Sequence, residues 1–368
     1  MSVDVHIVEE NDKKYAILQH RYYDVKEEHR GKKPKIWLVM NDSDLTSTPI
    51  GLRHILCKLG RTNLSCDNWG EIFACHIAKQ MGVNAVDYYL VDYEDNGEKH
   101  NGVMCGSYFV NEDQYEMSVK DLQTVYTKLQ IDYDTLETDK PINTVYSILK
   151  DLEEIIDFEE PRKTKVLQSL KKQLLEQCLF DYLLGQSDRH WLNTTFLVFE
   201  KDGEVFITKA ACYDNGNIAF LQRKFVSLQG ISREIGKDPI HSPLLKLKMD
   251  SYIPVMGVKT ATAKLEPTSD GQIGSKMSAD ISKKDKFIDE LTDEILYDAD
   301  LASLFTNFKY NFSMDKVIKD IERGGDNPPP EIVKLVNDVI TYQIHALDVV
   351  LDAKLRKSHE EEVRGCNE

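Results

Sequence analysis

The stretch Gly185-Gln-Ser-Asp188-Arg189-His190-Trp-Leu-Asn193 is the part of the chain around which the rest is organised. It follows a helical pattern and precedes the apolar run at 195–199, which has the composition of a strand. A second polar cluster, Cys212-Tyr-Asp214-Asn-Gly216, follows another strand-like run at 205–208. The chain therefore carries a carboxylate, an amide five residues later and a second carboxylate after the next strand.

This order of oxygen ligands is typical of phosphoryl transfer. One carboxylate, Asp188, would orient the attacking hydroxyl, while Asn193 and Asp214 would hold the metal on ATP. Such chemistry depends on positioning and charge neutralisation more than on covalent help, so a few oxygen ligands at strand ends are sufficient. Taken alone, Asp188 is more simply a turn residue. The complete set, in order and between strands, favours a kinase.

The two motifs resemble those of the HipA-like serine/threonine kinases, a bacterial branch of the kinase superfamily. That family has an Asp-x-His-x-x-Asn catalytic loop and a Tyr-Asp-Asn metal-binding motif, and phosphoinositide kinases similarly carry Asp-Arg-His-x-x-Asn. The resemblance implies Asp188 as catalytic base, Asn193 and Asp214 as Mg²⁺ ligands, and ATP as phosphoryl donor. His190 stands where ordinary eukaryotic protein kinases have Lys, and we group it with the catalytic residues as one that orients a neighbouring carboxylate. The alternative is that its imidazole satisfies a backbone carbonyl.

Further residues are candidates for binding the nucleotide. Lys58 ends the strand pattern at 54–58, and the following helix pattern, with Asp67 or Asn68 as its N-cap, stops at Gly82. We expect Lys58 to contact the ATP phosphates and to pair with Glu71 in the first helical turn, as a strand Lys and a helix Glu do in kinases. Glu71 could instead interact only with the helix dipole.

A basic turn at 26–35 lies between two strand patterns and contains Gly31 and Lys33. A glycine flanked by cations in a hairpin could fold over phosphates, so both residues are candidates for nucleotide binding. A solvated basic turn is an equally good interpretation. The turn contains no serine, so the regulatory serine that some HipA-like enzymes carry in this loop has no counterpart here.

Composition limits the class of protein. With 41% hydrophobic and 29% charged residues, the chain should form a core, and its net charge of −16 argues against general affinity for nucleic acid or anionic membrane. Its seven cysteines form no CxxC pair and are expected to be reduced thiols. A secretory signal and an apolar run long enough to cross a membrane are both lacking, so a cytoplasmic location is expected.

The expected fold is α+β, a two-lobed protein-kinase-like arrangement with ATP between the lobes. Residues 1–111 should form a mostly antiparallel sheet with one helix, and residues 112–368 a helical lobe. Within the second lobe, an amphipathic helix is predicted from Val119 onward. The Gly-, Ser- and Lys-rich stretch at 266–286 is predicted to be a surface loop.

Three classes of function remain open. The first is a Ser/Thr kinase with a protein acceptor, and the second is a phosphoinositide kinase. The second is supported by the Asp-Arg-His-x-x-Asn loop and by the stretch 221–264, which holds eight Lys or Arg against three acidic residues. The third is a catalytically inactive pseudokinase that acts as an interaction module; the presence of Lys58, Asp188 and Asp214 speaks against it. We expect a protein acceptor, and the sequence does not reveal whether an antitoxin partner exists.

Overall fold

The computed structural model describes most of the chain, and the secondary structure is a mixture of strands and helices, as the predicted α+β class requires. The described residues are 3–10, 13–18, 21–28, 35–39, 54–59, 66–95, 98–106, 116–121, 143–186, 189, 193–201, 203–222, 225–249, 261–267, 273–279 and 281–365.

Among the described residues, seven strands from the N-terminal part of the chain close into a barrel in the order β1-β2-β3-β4-β5-β7-β6. Neighbouring strands pair antiparallel except β1 and β6, which pair in parallel and close the barrel. Closure removes free edges, so the backbone groups of these strands are paired within the unit. The strands are β1 (Val3–Glu10), β2 (Lys13–Leu18), β3 (Arg21–Glu28), β4 (Lys35–Val39), β5 (His54–Leu59), β6 (Tyr88–Asp95) and β7 (Glu98–Gly106).

Helix α1 (Asp67–Met81) lies between β5 and β6 in the chain, as its periodicity predicts. It ends at Gly82, whose φ of 83° is in the left-handed region that glycine adopts without steric cost. The predicted N-cap is wrong by one or two positions: Cys66 occupies it, with no capping hydrogen bond from its side chain. Asp67 and Asn68 are inside the helix and buried.

A three-stranded antiparallel sheet follows, in the order β10-β9-β8. Its strands are β8 (Glu116–Asp121), β9 (Thr195–Lys201) and β10 (Glu204–Lys209). The amphipathic helix predicted from Val119 onward is wrong at its start, since Val119 lies in β8 and pairs with Leu197. In a short stretch the spacing of β-branched residues is compatible with a helix or with a strand. Here the pairing with a distant strand selects the strand.

The remainder is mostly helical. Strands β11 (Ala261–Pro267) and β12 (Ile273–Ala279) form an antiparallel pair, so the surface loop predicted at 266–286 is wrong for the described part of that stretch. The helices are α2 (Asn143–Ile155), α3 (Arg162–Leu184), α4 (Phe225–Ile235), α5 (Pro243–Met249), α6 (Ile281–Tyr297), α7 (Ala299–Asn311), α8 (Met314–Arg323) and α9 (Pro330–Gly365), with a 3₁₀ turn at Ile218–Phe220.

The chain divides into two compact units. One comprises residues 1–121, 193–231 and 313–335, and the other residues 122–192, 232–312 and 336–368. The first unit thus contains the barrel, α1, the β8–β10 sheet and α8. The division into lobes at residues 111 and 112 stays a prediction.

The cysteines of the described residues are buried thiols outside any disulfide, as expected for core thiols. Burial raises the pKa of the Cys66 and Cys75 thiols to about 11, so both are protonated at neutral pH. Among the helices of the described residues, none combines the length and apolar character needed to cross a membrane.

Candidate active site

Lys58 is the central residue of the candidate site. It lies in β5 of the barrel, paired with Lys35 of β4 on one side and Val103 of β7 on the other, and only 3% of its surface is exposed. A lysine this buried needs acceptors for its ammonium group. Its Nζ donates to Glu71 Oε1 at 3.1 Å, Tyr88 Oη at 3.0 Å and Asp214 Oδ1 at 3.2 Å.

Glu71 connects Lys58 to the segment that follows β10. One carboxylate oxygen accepts from Lys58, and the other, Oε2, accepts from the backbone N–H of Asn215 at 2.7 Å. The predicted ion pair between Lys58 and Glu71 is therefore present, across a gap of 13 residues in the chain. Because Glu71 also binds the Asn215 amide, its carboxylate does more than interact with the dipole of its own helix.

Asp214 is the most exposed member of this group. Its side chain is 30% exposed, against 4% for that of Lys58 and 1% for that of Glu71. Its φ of 56° is in the left-handed region, where Asp is one of the more tolerated residues. A backbone conformation of this kind is retained when the surrounding contacts determine it, and here it accompanies a carboxylate that faces both Lys58 and solvent.

The first turn of α1 packs directly on the backbone of the Asp214 segment. A Cβ added to Gly70 would lie 2.6 Å from the carbonyl oxygen of Gly216, and one added to Gly216 would lie 3.0 Å from the carbonyl oxygen of Asp67. The first distance is too short for a real side chain against backbone atoms, and the second would require the backbone to shift by a few tenths of an ångström. These two glycines therefore permit the close approach that brings Glu71 to the Asn215 amide.

The charges of the cluster are coupled. Burial lowers the pKa of Lys58, but the carboxylates of Asp214 and Glu71 outweigh it, and the net pKa lies well above its ordinary value. Burial, together with the Glu71 carboxylate, raises the pKa of Tyr88 well above its ordinary value. Lys58 is thus a permanent cation and Tyr88 a neutral hydroxyl at physiological pH. A fixed cation next to a partly exposed carboxylate can meet both a phosphate and the metal ion that accompanies it.

Asn193 lies at the same end of the β9–β10 pair as Asp214. The backbone N–H of Ala210 donates to the carbonyl of Thr195 at 2.8 Å, which extends the pairing beyond the two strands. The hydroxyls of Thr195 and Tyr213 are 2.7 Å apart and join the start of β9 to the residue before Asp214. Asn193 itself is 5% exposed. Its predicted role as a metal ligand stays a prediction.

Several predicted site residues lie outside the described residues: Asp188, His190, Gly31 and Lys33. Arg189, between the first two, is described and buried. Its Nε and Nη2 each donate to a carboxylate oxygen of Asp181 in α3, both at 2.8 Å, and neither side chain is exposed. This bidentate pair fixes the Arg189 side chain to the last turn of α3.

Sequence reasoning missed three features of the site. Tyr88 has no motif signal, because a tyrosine in an apolar strand is ordinarily a core residue. The contact between Asn215 and Glu71 uses a backbone amide, which no side-chain pattern reveals. The close approach of Gly70 to Gly216 has one weak signal in the sequence, namely the glycine directly after Asp214-Asn215.

With this geometry in place, the chain can be compared with known proteins. It is similar to the crystal structure of CtkA, a proinflammatory kinase of Helicobacter pylori, with a TM-score of 0.52 and 18% identity over 88% of this chain and 95% of that one. It also matches HipA in its complex with HipB and operator DNA, a toxin–antitoxin system of Shewanella oneidensis MR-1. That TM-score is 0.39, at 12% identity, over 88% of this chain and 67% of the other.

No protein-family model and no curated protein sequence matches the chain. At 18% identity, the likeness to CtkA establishes the fold and leaves the activity open. The α+β chain has a kinase-like fold, and the predicted resemblance to HipA-like kinases is confirmed at that level.

Proposed function

We propose that this protein is an ATP- and Mg²⁺-dependent kinase that phosphorylates serine or threonine of a protein acceptor. The observation that carries the proposal is the position of the Lys58 ammonium between the carboxylates of Glu71 and Asp214. Kinases hold their phosphate-binding lysine with a helix glutamate and place a metal-binding aspartate beside it. The kinase-like fold adds support.

Lys58 is the group proposed to bind the ATP phosphates. Its positive charge is permanent, because the neighbouring carboxylates keep its pKa high against the effect of burial. Glu71 sets its position and is itself held by the Asn215 amide. A cation held in place before the substrate binds needs no reorganisation when charge develops on the phosphates.

The residues present fit a magnesium ion that enters with the nucleotide. Magnesium prefers oxygen ligands and is usually held by one or two carboxylates together with substrate phosphates and water. Asp214 offers a partly exposed carboxylate and Asn193 an amide oxygen at the same end of the β9–β10 pair. Among the described residues, no three His, Cys, Asp or Glu side chains are grouped so as to hold a metal by themselves. Bound Mg²⁺ would neutralise negative charge on the phosphates.

Asp188 is the proposed base that accepts the proton of the acceptor hydroxyl. Its neighbour Arg189 pairs with Asp181 of α3. The assignment of a protein acceptor follows from the HipA-like motifs. The phosphoinositide alternative shares the same loop sequence, and the choice between them depends on the acceptor itself.

The test uses the full chain with labelled ATP and Mg²⁺, offered separately a protein extract and phosphoinositide vesicles. Asp188→Asn should lower transfer roughly 10²- to 10⁴-fold while nucleotide still binds, because only the proton acceptor is lost. Asp214→Ala should abolish the thermal stabilisation that Mg²⁺ and ATP give together. Asp157→Ala, a change at an exposed aspartate, is the matched control and should behave as wild type.

Label on protein supports the proposal, and label confined to lipid replaces the protein acceptor by a lipid one. Wild-type turnover in Asp188→Asn refutes its role as base. Unchanged stabilisation of Asp214→Ala by Mg²⁺ and ATP refutes the metal site.

A further inference from the structure

The three N–H groups of the Lys58 ammonium each have an acceptor in this structure. They are Tyr88 Oη at 3.0 Å, Glu71 Oε1 at 3.1 Å and Asp214 Oδ1 at 3.2 Å. An ammonium group has three donors, so these contacts use all of them. A phosphate oxygen can therefore reach Lys58 only by replacing one of the three acceptors.

Exposure indicates which of the three acceptors is replaced. Glu71 is buried and also accepts from the Asn215 amide, so moving it would take the acceptor away from that buried N–H even with a phosphate oxygen on Lys58. Tyr88 is 2% exposed and begins β6, where its backbone pairs with Cys105 of β7. The side chain of Asp214 is 30% exposed, so its carboxylate can turn towards solvent or a cation without entering the core. Asp214 is therefore the acceptor that can leave.

Tyr88 differs from the other two acceptors because it is neutral. One ammonium already faces two carboxylates, and a third carboxylate at this position would repel an incoming phosphate. A neutral hydroxyl holds the lysine without adding that repulsion. Once Asp214 leaves, Lys58 keeps one charged and one neutral acceptor, and its third N–H is available in the direction from which Asp214 departed.

We propose that Tyr88 is a positioning residue, which together with Glu71 holds the Lys58 ammonium in place when nucleotide binds. In this step the Asp214 carboxylate leaves Lys58 and binds the metal ion, and a phosphate oxygen takes the position of Asp214 on the ammonium. The proposal rests on the proposed kinase function. It predicts that the hydroxyl of Tyr88, separately from its ring, contributes to nucleotide binding. Tyr88→Phe tests that contribution, because it removes the hydroxyl, which also hydrogen-bonds the Cys105 side chain, and retains the ring, whose centroid lies 5.0 Å from Lys58 Nζ.

The experiment first measures Lys58 directly, without nucleotide. In protein with ¹⁵N-labelled lysine, the hydrogen-bonded ammonium of Lys58 should give a signal that exchanges slowly with solvent, assigned by its loss in Lys58→Arg. Tyr88→Phe should speed this exchange about tenfold, the equivalent of one hydrogen bond to a charged group. Lys209 is the internal reference, since it is also buried and its Nζ donates to the carbonyl of Ala210 at 2.8 Å.

The second measurement is the Kd of Mg²⁺ with a non-hydrolysable ATP analogue. Tyr88→Phe should raise this Kd about tenfold, because the lysine that meets the phosphates is no longer held. Tyr93→Phe is the matched control: it removes a hydroxyl from a buried tyrosine of the same strand, whose ring contacts His100. This control should leave both the Kd and the Lys58 exchange rate at wild-type values.

The outcomes separate this inference from the proposed function. If Tyr88→Phe leaves the Lys58 exchange rate and the Kd unchanged while wild type binds the analogue, the positioning role is refuted and the kinase proposal stands. Equal acceleration of Lys58 and Lys209 would mean a general loosening of the core, which also refutes it. If wild type binds no analogue, the kinase proposal fails, and the Lys58 exchange rate alone decides whether Tyr88 holds the lysine.

Discussion

The buried ion pair between Asp181 and Arg189 allows a prediction whose size follows from the structure. Two hydrogen bonds of 2.8 Å join the side chains, and both side chains are 0% exposed. In Asp181→Ala the guanidinium would remain buried without its carboxylate. Breaking a buried pair in this way costs about 3–5 kcal/mol, a large share of the roughly 5–15 kcal/mol that stabilises a typical domain.

The double variant Asp181→Leu with Arg189→Met should recover most of this loss. Apolar residues of similar volume avoid the desolvation of two charges, and such replacements are often neutral or stabilising. Urea unfolding of the two variants and wild type, with the midpoint and slope compared, gives the free energies. The recovery would show that the uncompensated charge, rather than a cavity, causes the loss in the single variant.

The control is the exposed pair formed by Lys172 of α3 with Asp300, 2.7 Å apart with side chains 49% and 69% exposed. Asp300→Ala should cost no more than about 1 kcal/mol, because solvent screens exposed ion pairs. If Asp181→Ala costs no more than Asp300→Ala, the reasoning about burial is refuted.

Two further predictions concern α1. Gly70→Ala should lose about 1–3 kcal/mol in urea unfolding and weaken Mg²⁺–nucleotide binding, since its Cβ would lie 2.6 Å from the Gly216 carbonyl oxygen. Gly230→Ala in α4, where a Cβ meets nothing within 4 Å, should gain up to about 1 kcal/mol; equal effects of the two changes would contradict the packing argument. The pKa of His76 is lowered by burial and by Lys79, so its contribution to stability is complete above about pH 6.5 and is lost as the pH falls through its folded-state pKa. The urea midpoint should therefore fall less between pH 7.5 and pH 5.5 in His76→Gln than in wild type. An identical fall in both proteins would rule out this contribution of His76.

Local pattern was enough to predict many of the elements. Helix α1 follows from its apolar spacing and from Gly82, whose left-handed conformation ends it. Helix α3 ends in the same way at Gly185, with a φ of 60°. The strand that carries Lys58 was recognised from a short apolar run ending in a cation. Such features depend on residues within a few positions of one another, so the order of residues alone contains them.

Elements that depend on distant partners were predicted less well. Val119 has the spacing of a helix residue but lies in β8, because pairing with Leu197 of β9 satisfies its backbone groups. The sequence predicts a loop where β11 and β12 pair, since a stretch rich in Gly, Ser and Lys gives little periodic signal. The N-cap of α1 is Cys66, and the predicted cap Asp67 is a buried residue of the first turn.

The sequence by itself was enough to select Lys58, Glu71 and Asp214 as candidates for one site, because motif spacing carries that information. Only the tertiary structure decided that these side chains meet, and that Tyr88 joins them. The contacts of Lys58 with Glu71, Tyr88 and Asp214 span 13, 30 and 156 residues of the chain. Contacts over such separations arise from barrel closure and from the packing of α1 on the Asp214 segment. Both depend on the burial of the whole unit, which no local pattern contains.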